Sequence, residues 1–173
     1  MEEVLIVDGY NMIGAWPELC RLKDDHFEEA RDRLIEMLAD YKGYSGRRVI
    51  LVFDAYKVPG LGASFRQNSL EIIYTKEKET ADECIERLVK DLQRRKRSII
   101  VATSDFTEQH VAFGQGALRM SARELLIEIE ESRSEVRKRL EKRVKQPKNP
   151  LEGRLSEELQ DMFERWRRGD PLD

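Results

Sequence analysis

The sequence predicts an α/β fold with a mainly parallel central sheet flanked by helices. Short runs of β-branched and aliphatic residues recur along the chain, each apolar throughout rather than alternating, the pattern of strands buried on both faces. Between them lie segments whose apolar residues are three or four apart, the spacing of helices. Strands that alternate with helices are joined by right-handed crossovers, which make the strands parallel.

In order along the chain, Val4–Val7 reads as a buried strand that ends in a loop at Asp8 and Gly9. Phe27, Ala30, Leu34, Leu38 and Tyr41 mark a helix. Arg48–Phe53 repeats the strand plan and stops at Asp54, and Leu70–Tyr74 is a further, shorter strand. Thr80 and Glu83 form a capping box ahead of a helix carrying Ala81, Cys84 or Ile85, Leu88 and Leu92. Ser98–Ala102 is another strand, followed by Thr103, Ser104 and Asp105. A second capping box, Ser121 and Glu124, opens a long helix through Leu125, Ile129, Val136, Leu140 and Val144. Pro147 to Gly153 reads as a linker, after which Leu159, Met162, Phe163 and Trp166 lie along one side of a short final helix ending near Gly169. The expected organisation is a compact domain over 1–146, with a linker and C-terminal helix over 147–173.

Composition narrows the function classes. At 173 residues the chain suits one core with an appendage, and 40% hydrophobic residues spread along it exclude global disorder. Its apolar runs fall far short of the roughly 20 residues a membrane crossing needs, and Met1, Glu2 and Glu3 lack the basic region of a signal peptide. A cytoplasmic protein with no membrane partner is expected. Two cysteines and two histidines, with no CxxC or HExxH spacing, argue against zinc, and Cys84 recurs with apolar positions as a small core residue. Gly60 and Gly62 lack the third glycine of a dinucleotide fingerprint and read as a flexible loop; no Walker lysine motif is present.

The acidic residues at the strand ends are more informative. In open parallel sheets the functional crevice lies beyond the carboxyl ends of the strands. Asp8, Asp54 and Asp105 close three of the four expected strands, and Asp82 falls in the first turn of the helix after the remaining one. Any one of them could be an ordinary turn former or helix cap. Four carboxylates on one rim, however, repel one another unless a cation neutralises them. With oxygen donors only, that cation is Mg²⁺ or Mn²⁺ rather than zinc, and such ions serve displacement at a phosphodiester. Asn11, three residues beyond Asp8, either orients a carboxylate or water through its amide or merely tolerates a left-handed turn.

Charge is unevenly placed. From Ser132 to Lys148 there are eight basic residues against Glu135 and Glu141, a local +6 in a chain of net charge -3. Arg133, Arg137, Lys138, Arg139, Lys142, Arg143, Lys145 and Lys148 exceed the ordinary mixing of a solvated helix face and suit a polyanion. Arg94 to Arg97 read as cations at a helix C-terminus. Arg66, placed in a long loop after the second strand, and Arg119, just before the second capping box, are further candidates for binding near the rim.

These segments, taken in order, resemble a known family. Val4 to Asn11, Val52 to Asp54, Tyr74 and Thr75 followed by Glu79 to Asp82, and Ala102 to Asp105 look like the successive motifs of the NYN domain, a branch of the PIN-like metal-dependent nucleases. Gly114 to Glu124 extends the likeness to the bacterial YacP-like NYN proteins over roughly the whole chain. The resemblance implies a PIN-like three-layer sandwich and an endoribonuclease with an acidic Mg²⁺ or Mn²⁺ site. By position, Asp8, Asp82 and Asp105 would hold the metal, Asp54 would assist, and Asn11 would place a ligand or water. For the YacP-like branch it further implies cleavage of mRNA in association with the ribosome, Arg66, Arg119, Arg137, Lys138 and Lys142 being the candidates for RNA contact. Two rivals stand beside this reading. A haloacid-dehalogenase-like phosphatase needs a second Asp two residues after the first, where Tyr10 stands. A non-catalytic adaptor would keep the fold and bind RNA or a ribosome without metal-dependent turnover.

Overall fold

The computed structural model describes residues 2–55, 64–67, 69–93, 97–104, 110, 114, 116–145 and 157–168. Its elements are β1 (Glu3–Asp8), α1 (Gly9–Ala15), α2 (Pro17–Asp25), α3 (Phe27–Ser45), β2 (Arg48–Phe53), β3 (Ser64–Gln67) and β4 (Leu70–Tyr74). Then come α4 (Ala81–Gln93), β5 (Ser98–Ala102), β6 (Leu118–Met120), α5 (Ala122–Lys145) and α6 (Glu157–Arg168). The strands form one sheet in the order β3-β4-β2-β1-β5-β6. Five run parallel, and β3 pairs antiparallel with β4 at one edge.

The continuous apolar runs are explained by two covered faces. In β1, Val4 and Ile6 face one way and Leu5 and Val7 the other, because successive side chains of a strand alternate. Val4 and Ile6 join Ile50, Val52, Ile99 and Val101 against Ala81, Cys84, Ile85 and Val89 of α4. Leu5 and Val7 join Leu51 and Phe53 against α1–α3 and the start of α5, through Met12, Ile13, Leu34, Leu38, Leu125 and Ile129. Each fully buried aliphatic side chain of this kind contributes roughly 1.5–3 kcal/mol. The three layers expected from the sequence are thus present.

Both capping boxes close reciprocally. The Glu83 N–H donates to Thr80 Oγ1 at 3.3 Å and the Thr80 N–H to Glu83 Oε2 at 3.1 Å; Ser121 and Glu124 do the same at 3.2 and 2.6 Å. They start α4 and α5 where expected. Gly46 ends α3 at φ +70°, a left-handed turn that glycine adopts without strain. At the amino end of the sheet Tyr41 donates to Glu128, and Arg47 reaches Glu3 and Glu128, each at 2.8 Å. The indole N–H of Trp16 donates to the Ala122 carbonyl at 2.8 Å, tying the α1–α2 junction to α5.

Several expectations need correction. The chain does not enter a loop at Asp8 and Gly9 but goes directly into α1, and α2 follows after Trp16. Arg66 lies in β3, not in a loop, and Leu118–Met120 adds β6. Apart from these corrections, the chain falls into two compact units, Met1–Glu135 and Val136–Asp173. The expected linker, Pro147–Gly153, the Gly60 and Gly62 loop and Arg94 to Lys96 lie outside the described residues. Among the described residues no helix is long and apolar enough to cross a membrane.

Candidate active site

The strand order fixes where a site belongs. From β1 the chain crosses through α1–α3 to β2 on one side, while β5 lies beside β1 on the other. The carboxyl ends of β1 and β5 therefore flank the point where the direction of winding reverses, the place where open parallel sheets bind their ligands.

Asp8 is the last residue of β1 and is only 5% exposed. Its Oδ1 accepts the Asn11 backbone N–H at 3.2 Å, so the carboxylate caps α1 as it faces the crevice end of the sheet. Asn11 is helical, which removes the left-handed-turn explanation. Its side-chain oxygen accepts the Ser104 N–H at 2.9 Å, joining α1 to the exit of β5 across the switch point. The buried Thr103 holds the other side of that exit, its N–H donating to the Met120 carbonyl at 3.1 Å.

Asp54 follows β2 directly and is half-buried. Its neighbour Ala55 donates its N–H to Thr75 Oγ1 at 2.9 Å, and the Thr75 N–H donates to the Phe53 carbonyl at 3.0 Å. The exits of β2 and β4 are thereby locked together. Asp82 lies in the first turn of α4 and is exposed. Asp105, the residue after Ser104, lies outside the described residues. Among the described residues no three His, Cys, Asp or Glu side chains stand together as a metal-holding group.

An aromatic cluster underlies this rim. Tyr10 packs at 5.3 Å from Phe27 and 5.1 Å from Phe53, whose ring stacks on Tyr74 at 5.4 Å. Burial pushes the Tyr10 phenol up to about 12; Tyr74 and Asp54 nearby add to the rise, and Arg31 opposes it. Gly9 makes the packing possible, since a Cβ there would lie 2.3 Å from Phe53 Cε1.

The proposed RNA contacts lie on three elements. Arg137, Lys138 and Lys142 are exposed on α5, and Arg119 is exposed on β6. Arg66 pairs in register with Glu71, the second residue of β4, and so stands toward the end of β4 opposite the rim, on the edge strand. Sequence reasoning quoted Thr75 and Ser104 only as parts of longer motifs; their contacts with Ala55 and Asn11 arise from strand order.

A family model described as YacP-like NYN domain matches residues 5–168. The chain belongs to the YacP-like NYN domain family. It is 53% identical over 171 residues to a Bacillus subtilis (strain 168) protein called Uncharacterized protein YacP, covering 97% of this chain and 98% of the relative. Crystal structures of Rae1 (YacP) from Bacillus subtilis share its fold. A tryptophan-to-leucine mutant matches with a TM-score of 0.75 at 49% identity over 96% of both chains. Another crystal structure matches with 0.73 at 53% identity over 96% of this chain and 95% of that one. The NYN family is of the nuclease type, in agreement with the position of Asp8 at the switch point.

Proposed function

We propose that the protein is a metal-dependent endoribonuclease that hydrolyses phosphodiester bonds of mRNA in association with the ribosome. The observation that carries this reading is the buried Asp8 carboxylate at the carboxyl end of β1, beside the Asn11–Ser104 link to the exit of β5. In this reading Asp8, Asp82 and Asp105 hold Mg²⁺ or Mn²⁺, and Asp54 assists.

The donor chemistry supports a hard cation. The rim offers carboxylate oxygens, while Cys84, the soft donor on α4, is fully buried in the apolar cluster with its thiol pushed up to about 11 by burial. When bound, the ion supplies charge neutralisation and water activation for displacement at phosphorus. The chain's own groups do the rest. Asp8 is held in one orientation by the α1 cap, Asn11 is a positioning residue for the β5 exit that leads to Asp105, and Thr75 positions the segment carrying Asp54. Arg137, Lys138 and Lys142, with Arg119, hold the polyanion through its phosphates.

The alternative reading is the non-catalytic adaptor, which keeps the fold and binds RNA or a ribosome without metal-dependent turnover. The two readings separate on a translated message incubated with the protein and its ends mapped. The nuclease gives discrete cuts that a chelator abolishes and Mn²⁺ or Mg²⁺ restores. The adaptor gives none under any metal condition, and that result would reject the primary reading.

A further inference from the structure

Arg31, on the second turn of α3, is a cation that the fold leaves poorly satisfied. Its side chain is 15% exposed, and its ion pair is a long 3.8 Å contact to Glu28, a carboxylate that is itself 89% exposed. Its Nε is buried and has no hydrogen-bond partner among the described residues. The guanidinium carbon stands 5.8 Å from the centre of the Phe27 ring, and the group lies beside the Tyr10 hydroxyl. Among the described residues, five N–H donors in a planar fork thus meet one ring face, one phenol and one distant, solvated carboxylate.

Stability alone gives little reason for such an arrangement, because a desolvated charge whose ion pair is a long one to a solvated carboxylate costs the fold free energy. Its place gives one. Tyr10 is two residues from Asp8, its ring touches Phe53 at the end of β2, and Asp54 is near enough to act on the same phenol. A polyanion approaching an acidic rim must be held there against repulsion from the carboxylates. A guanidinium fork fixed by an aromatic ring is suited to two parallel hydrogen bonds with a phosphate.

Resting on the nuclease reading, we propose that Arg31 binds a backbone phosphate of the RNA beside the scissile one, with Phe27 and Tyr10 fixing the plane of its guanidinium. Asp8 and Arg31 then divide the work, one at the reacting phosphate and the other at its neighbour.

The test measures binding of a labelled single-stranded RNA to the full-length chain without divalent metal, in an Asp8→Asn background that cannot cut. Arg31→Gln is expected to weaken binding about tenfold and to flatten the dependence of log affinity on log salt by roughly 0.7. Arg31→Lys keeps the charge and most of the packing but loses the fork; it should retain the salt slope while still losing affinity. A melting curve for each variant establishes that it is folded, and Arg31→Lys decides the matter if Arg31→Gln is not. RNAs with and without a 5′ phosphate separate internal from terminal phosphate, and the internal one is expected, with equal losses on both. Unchanged affinity in folded Arg31→Lys, or a loss confined to the 5′-phosphorylated RNA, would overturn the proposal. Failure of the nuclease reading looks different: wild-type protein would bind RNA through Arg31 and never cut it.

Discussion

Replacing Gly9 with alanine sets two effects against each other, and the structure decides between them. An alanine inside a helix is ordinarily better than glycine by about 0.5–1 kcal/mol. At Gly9 the new methyl would sit 2.3 Å from Phe53 Cε1 and 2.6 Å from Cδ1, closer than any real contact. Phe53 is fully buried and packed against Tyr10 and Tyr74, so it has no vacant space to rotate into. Overpacking of this kind costs about 1–3 kcal/mol, which outweighs the helix gain. A chain of this size should lose about 2–4 °C in melting temperature for each kcal/mol. Relief comes by pushing α1 off β2, which moves Asp8 and Asn11 together, so RNA cleavage should fall as well. Gly43→Ala is the control: it lies in α3 with nothing within 4 Å of its Cβ and should raise stability by about 0.5–1 kcal/mol. Thermal and urea melts of both variants, with Phe53→Leu as a partial rescue of Gly9→Ala, measure this directly. A Gly9→Ala protein as stable and active as wild type would refute the reasoning.

Other consequences follow from the same contacts. Asn11→Ala leaves the Ser104 N–H without its acceptor and should cost about 1 kcal/mol in a urea melt; Asn11→Asp, which keeps an oxygen there, should retain most of the stability. Trp16→Phe removes the buried bond to the Ala122 carbonyl and should destabilise by about 1–3 kcal/mol, read by calorimetry. Burial, followed by the hydrogen bond to Glu128 and that residue's charge, pushes the Tyr41 phenol up to about 12, against the opposing charge of Arg47. The folded chain holds that proton more tightly than the unfolded chain, so the stability it contributes is intact below pH 10 and lost as pH rises toward 12. Melts across that range should show a shallower decline for Tyr41→Phe than for wild type.

Sequence alone revealed those parts of the fold whose signals are local and repeated. The apolar runs of β1, β2, β4 and β5 and the two capping boxes each carry their own mark, and the structure has them at those places. α1 was hidden because Asp8 and Gly9 form a turn signal; packing of Met12 and Ile13 against the sheet, not helix propensity, holds it. β3 and β6 are too short to show a period, and they pair through strand order. The acidic strand ends were readable as a pattern, but the partners of the site were not. Asn11 meets Ser104, and Thr75 meets Ala55, across separations that only the folded topology supplies.

The most direct measurement is the rate at which Asp8→Asn protein cuts a translated message, compared with wild type at equal metal concentration. Asparagine caps a helix about as well as aspartate, so the variant should melt near wild type and still bind RNA. Its cleavage should nevertheless fall by about two orders of magnitude or more, the equivalent of roughly 3 kcal/mol of transition-state stabilisation. A folded Asp8→Asn chain that cuts at the wild-type rate would contradict the account at its centre.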